Sequence, residues 1–183
     1  NDVFWKAFLN NAVFFSVDNK NYADGAATAL GIDGLTQAEQ MFLDQKDPDG
    51  QPLAISPAIL LVPNGLLVTA SNLMNSTELR EDGNTAKTKF PTNNPHAGKF
   101  RVVRSSYLSN AQYAGASAKA WYVLAEPGDM PVIEVAFLNG QQQPTVESAD
   151  ADFNVLGVQM RGYHDFGVAL QEQRGGVKMK GEA

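Results

Sequence analysis

A chain of 183 residues with 44% hydrophobic content can bury a core, and its natural organisation is one domain or one body with an inserted lobe. The lack of cysteine excludes a disulfide framework and a thiolate metal site, and fits a reducing intracellular origin more readily than export. With 14 basic against 20 acidic side chains, net −6, the surface repels nucleic acid on average, and no Lys/Arg cluster forms a stripe that would track phosphates.

Val3, Phe4, Ala7, Phe8, Asn11 and Ala12 recur at helical spacing, and Trp5, Leu9 and Phe15 widen the apolar face, so the chain opens on a helix that packs against a core. The first residue is Asn1 and the helix pattern begins at once, so a longer polypeptide is the expectation. Residues 16–34 (SVDNKNYADGAATALGIDG) are polar, small and aperiodic, and read as a long surface loop. Thr36 and Glu39 have capping-box spacing ahead of Ala38, Met41 and Phe42, which predicts a helix starting there and running to about Lys46. Asp47-Pro-Asp-Gly50 is a turn; a calcium loop in that register would put Ser56 where a bidentate Glu is required.

Residues 58–62 (AILLV), between Pro57 and Pro63, predict a buried strand. Asn64 is a fair N-cap for a helix over 66–75, whose buried face is Leu66, Leu67, Ala70, Leu73 and Met74. The PNG turn between them has neither the glycines nor the lysine of a phosphate-binding loop. Residues 77–98 are nearly devoid of apolar side chains and predict a projecting excursion, with His96 a solvated loop histidine. Strands are predicted over 100–108, 121–125 and 132–138, with a break at 140–144 and a short edge strand at 145–147. Residues 151–174 (ADFNVLGVQMRGYHDFGVALQEQR) hold two alternating runs, 155–161 and 164–171, either side of Gly162, the pattern of a hairpin with a tight turn. No apolar run approaches the roughly 20 residues that span a bilayer.

Reactive chemistry is scarce. There are two His, no Cys and no Gly-x-Ser-x-Gly turn. Gln159, Arg161, His164 and Asp165 gather near the presumed turn, but His164 and Asp165 are adjacent on a strand and point to opposite faces. A solvated or partner-facing strand end accounts for them more simply than an active site. Two other readings stay open: a hydrolase domain using Asp152, His164 and Asp165 with a serine, and a small-molecule or sugar-binding module using Trp121, Tyr122 and Tyr163.

The order of segments is more specific than any site. AISPAILLVPNGLLVTASNLMNS is followed by a projecting polar stretch, then GKFRVVRSSYLSN, AWYVLAEPGDMPVIEVAFLNGQQQPTVES and DADFNVLGVQMRGYHDFGVALQEQRGGVKM. The series resembles the C-terminal two-thirds of tailed-phage major capsid proteins, most closely the Mu-type major head subunits, including forms fused behind a prohead protease. The resemblance implies an α+β fold with an axial lobe and part of a peripheral lobe, without the N-terminal arm and extended loop. Residues 1–34 would be the end of the spine helix with a surface loop. Residues 35–140 would be mainly axial lobe with the loop 77–98, and 141–183 the C-terminal strands closing the sheet.

It further implies a structural, non-enzymatic subunit with no cofactor and no catalytic or metal-binding residues. Such a subunit self-assembles into capsomers of an icosahedral shell, resides in the virion after a period in the host cytoplasm, and does not touch membrane. Its partners would be its own capsomer neighbours, a scaffold or prohead protease during assembly, and packaged DNA without sequence-specific contact. Arg161, His164, Asp165 and Arg174 are the candidate structural or inter-subunit contacts.

Overall fold

The computed structural model describes residues 1–79, 92–150 and 156–182. Helix α1 (Asp2–Leu9), strand β1 (Tyr22–Ala23), helix α2 (Ile32–Leu43), strand β2 (Pro57–Val62) and helix α3 (Leu67–Asn75) come first. Short strands β3 (Glu78–Leu79) and β4 (Thr92–Asn93) follow, then β5 (Arg101–Arg104) and β6 (Trp121–Ala125). The remaining strands are β7 (Ile133–Phe137), β8 (Thr145–Asp150), β9 (Val158–Tyr163), β10 (Phe166–Leu170) and β11 (Gly176–Met179).

The apolar runs make a five-stranded mixed sheet in the order β1-β11-β6-β2-β5. β6 is antiparallel to both β2 and β11, whereas the edge strands β1 and β5 are parallel to their neighbours. Both faces are covered, which is why β2 and β6 are apolar on consecutive residues rather than on alternate ones. Leu60, Val62, Trp121, Val123, Val177 and Met179 meet Leu35, Ala38 and Phe42 of α2 and Ala70, Leu73 and Met74 of α3. On the opposite face, Leu61 and Tyr122 meet Phe8 and Leu9 of α1 together with Phe15, Leu108 and Tyr113. This is an α+β arrangement, as expected, with β2, α3, β6 and β7 close to their predicted positions.

Several expectations change. Residues 16–34 are not a surface loop: β1 pairs in parallel with β11, and Asn21 and Thr28 are fully buried. Asn21 earns its place by hydrogen bonds, its amide donating to the carbonyls of Phe14 and Gln173 while its oxygen accepts from the Ser16 amide. Helix α2 begins at Ile32 rather than at Thr36, so the capping-box residues lie inside it. There the Thr36 hydroxyl donates back to the Ile32 carbonyl at 2.8 Å, and Glu39 reaches Lys99 at 3.0 Å.

His96 is not solvated either; it is 2% exposed. Its Nε2 lies 2.9 Å from Thr36 Oγ1, its Nδ1 3.4 Å from Glu39, and its ring stacks on Phe100 at 6.2 Å. Asn94 backs it, accepting from the His96 amide and donating to the carbonyls of Leu73 and Ser76. The base of the 77–98 excursion is thus clamped to α2 and α3; residues 80–91 lie outside the described part. Burial holds the His96 pKa below its ordinary 6.5, against the opposing pull of the Glu39 carboxylate. The unfolded chain therefore binds a proton at a higher pH than the folded one, so stability is full above about 6.5 and falls as pH drops through the lower folded value. Urea midpoints measured from pH 7.5 to 5 should decrease, and His96→Gln should remove part of that decrease; an identical pH slope in the variant would contradict the assignment.

Candidate assembly surface

Between β6 and β11 the chain leaves the sheet as one long two-stranded ribbon. β7 pairs with β10 from Ile133↔Leu170 to Phe137↔Phe166, and β8 then pairs with β9 from Thr145↔Tyr163 to Asp150↔Val158. The expected hairpin of 155–161 with 164–171 does not form. Gly162 is not a turn but lies inside β9 opposite Val146, and β9 and β10 follow one another along the same side of the ribbon. At the joint, residues 138–144 bulge out of one side, with Asn139 and Gly140 both at positive φ (54° and 71°), while only His164 and Asp165 bridge the other. Asn and Gly tolerate that conformation better than other residues.

The ribbon has two unlike faces, because opposed residues in an antiparallel pair share a side. On β8–β9, one face carries Thr145, Glu147, Ala149, Gln159, Arg161 and Tyr163. Its centre is an ion pair in which Arg161 approaches Glu147 at 2.6 Å; with Arg161 78% exposed, water screens the pair strongly. The other face carries Val146, Ser148, Asp150, Val158, Met160 and Gly162. Val146, Val158 and Met160 are 68, 62 and 74% exposed, so this apolar strip has no cover among the described residues. A two-stranded ribbon alone in water is marginally stable at best. Near the body, by contrast, Ile133 and Leu170 pack onto the core cluster around α1.

The four candidate residues do not converge. Arg161 takes Glu147 rather than Asp165, whose backbone carbonyl accepts from the Leu138 amide at 3.1 Å. His164 stacks on Phe137 at 5.6 Å and lies 5.1 Å from Phe166, closing the joint with its Nε2 unpartnered. Arg174 sits beyond β10 in the short turn before β11, 3.2 Å from Glu172.

Among the described residues the alternative chemistries find no assembled site. His164 and Asp165 line a cavity of about 150 Å³ with Asn139, Gln141, Gln143 and Thr145, and no serine is among its walls. Asp152 lies outside the described residues. Trp121 and Tyr122 are core residues, 0 and 2% exposed, on opposite faces of the sheet, whereas Tyr163 stands out on the ribbon. Among the described residues no helix is long and apolar enough to cross a membrane.

The described residues thus form a mixed sheet clad on both faces, from which the long ribbon and the short β3–β4 pair depart. Residues 1–179 match the family model described as phage capsid protein, and the chain belongs to that family. It is accordingly a structural protein of the phage head, and membership implies self-association in the capsid and a place in the virion. No curated protein matches the sequence.

Proposed function

We propose that this chain is the shell-building subunit of a tailed-phage head of the Mu type, assembling into hexameric and pentameric capsomers of an icosahedral shell that encloses DNA. The observation that carries the reading is the capsid-family match over residues 1–179. The Mu-type assignment rests on the order of segments from residue 54 to residue 179. In this reading the central sheet with α2 and α3 forms most of the axial lobe, α1 belongs to the peripheral lobe, and of the C-terminal strands β11 alone joins the sheet, between β1 and β6. Arg161, His164 and Asp165 serve the ribbon as structural or inter-subunit contacts, with Arg174 at its base. A scaffold or prohead protease assists assembly in the host cytoplasm, and net charge −6 suits a wall that confines DNA without gripping it.

The work of such a subunit is the summed free energy of modest interfaces repeated by symmetry. Expression of the complete reading frame, with the head genes that accompany it, should yield closed particles by electron microscopy and fast-sedimenting material. Small soluble species under every assembly condition would refute the proposal.

A further inference from the structure

The outer half of the ribbon presents an apolar face that none of the described residues covers, and along β9 the face is self-complementary. Its three rungs pair Val146 with Gly162, Ser148 with Met160, and Asp150 with Val158. A two-fold axis lying across the strands at the middle rung would reverse the strand direction between two stacked ribbons. Met160 would then meet its own symmetry mate beside two small serines. Val158 of each copy would lie over Gly162 of the other, the one position on this face without a side chain.

Charge favours the same orientation. Among the described residues of the face, Asp150 is the only ionisable one. Reversal puts the two carboxylates at opposite ends, four residues or about 13 Å apart along the ribbon at about 3.3 Å per residue. That exceeds the screening length of about 8–10 Å at ordinary salt. Stacking with the tips together would hold them side by side. The polar face, with its Glu147–Arg161 pair, has its charges satisfied within the molecule and stays toward solvent.

We propose that the Val146/Val158/Met160 face of the β8–β9 ribbon packs against the same face of a second copy about a two-fold axis. The proposal rests on the capsid reading for the presence of neighbouring copies, and adds which face, which symmetry and which register. Area sets when the contact forms. Six residues by two strands offer about 200 Å² per copy at about 3.3 Å rise and 4.8 Å spacing, well under the roughly 800 Å² per partner of a stable isolated complex. The contact therefore belongs to assembled particles and not to dilute chains.

These 183 residues contain no cysteine, so a single thiol introduced among them is the only one they carry. Met160→Cys and Gln159→Cys alter adjacent, exposed residues on opposite faces. Assembled particles of each, treated with a short bis-maleimide, should give covalent dimers at least about tenfold faster for Met160→Cys. A mixture of Val158→Cys and Gly162→Cys subunits should crosslink better than Val158→Cys alone, which fixes the reversed register. Equal crosslinking of Met160→Cys and Gln159→Cys in well-formed particles would overturn the pairing and leave the capsid reading standing. Failure of every version, including the unaltered chain, to form particles would overturn both.

Discussion

Trp121→Ala should lower the unfolding free energy by about 3–5 kcal/mol, a large part of the roughly 5–15 kcal/mol that holds a domain together. The indole is fully buried on the helical face of the central sheet. Its Nε1 donates to the Thr28 carbonyl at 2.9 Å, and the Thr28 hydroxyl in turn donates to the Gly25 carbonyl and accepts from the Gly181 amide. One side chain thus ties the 25–28 segment and the C-terminal strand to the sheet centre. Truncation leaves a cavity and an unpartnered carbonyl together. Trp121→Phe keeps most of the volume and loses the bond, so its cost should be smaller, led by the roughly 1–3 kcal/mol of an unsatisfied buried group. Trp5, stacked on Tyr107 beneath the other face of the sheet, remains as a fluorescent reporter of urea unfolding in both variants. An unchanged midpoint in Trp121→Ala would mean that the sheet core is wrongly assigned.

The elements legible in the sequence are those whose signal is their own hydrophobic pattern. β2 and β6 are continuous apolar runs because both their faces are covered, and α3 follows a turn that stops the strand. Polar residues inside the body left no such signal. Asn21, Thr28, Asn94 and His96 are buried by bonds to backbone carbonyls, hydroxyls and amides far along the chain, and composition alone makes their segments look like loops.

The ribbon is a different failure, because the decisive signal was present. A two-residue turn places residues i and i+3 on the same side, so the parity of the apolar positions must switch across it. Here Val158, Met160, Phe166, Val168 and Leu170 are all even-numbered, and no switch occurs at Gly162. A glycine flanked by alternating residues is a local hint of a turn; unbroken parity over thirteen positions is the stronger statement that the strand direction continues. The same parity sets out the uncovered face. His164, also even-numbered, packs with Phe137 and Phe166 rather than with a catalytic partner.

Body and ribbon divide the labour of a capsid protein along physical lines. The sheet buries its apolar strands within the body, under α1, α2 and α3. The outer ribbon leaves its apolar area exposed, so its order depends on what it meets. A capsid subunit that buried every apolar residue would have little with which to associate, and one that exposed its sheet would aggregate before assembling. Variants that destabilise the body should therefore reduce the amount of folded subunit, whereas variants on the ribbon face should alter association with the unfolding midpoint nearly unchanged.

Gly34→Ala gives a second large loss, with a sign opposite to what its helix suggests. Glycine within a helix usually gains about 1 kcal/mol on replacement by alanine, and Gly34 lies in the first turn of α2. Its Cβ position, however, falls 2.2 Å from the Ala29 carbonyl oxygen and 3.4 Å from Trp121 Cζ2. The obstacle is backbone, so no side-chain rotation relieves it. Either α2 moves off the sheet or the 26–29 turn moves, and that turn carries the carbonyl that Trp121 grips. Overpacking of this kind costs roughly 1–3 kcal/mol, which outweighs the helical gain. Since both changes act on the Thr28–Trp121 bond, Gly34→Ala and Trp121→Phe should be non-additive by more than about 0.5 kcal/mol in a double-mutant cycle, the second change costing less once the first has strained the bond. A Gly34→Ala chain with a raised urea midpoint would show that α2 stands farther from the 26–29 turn than this packing requires.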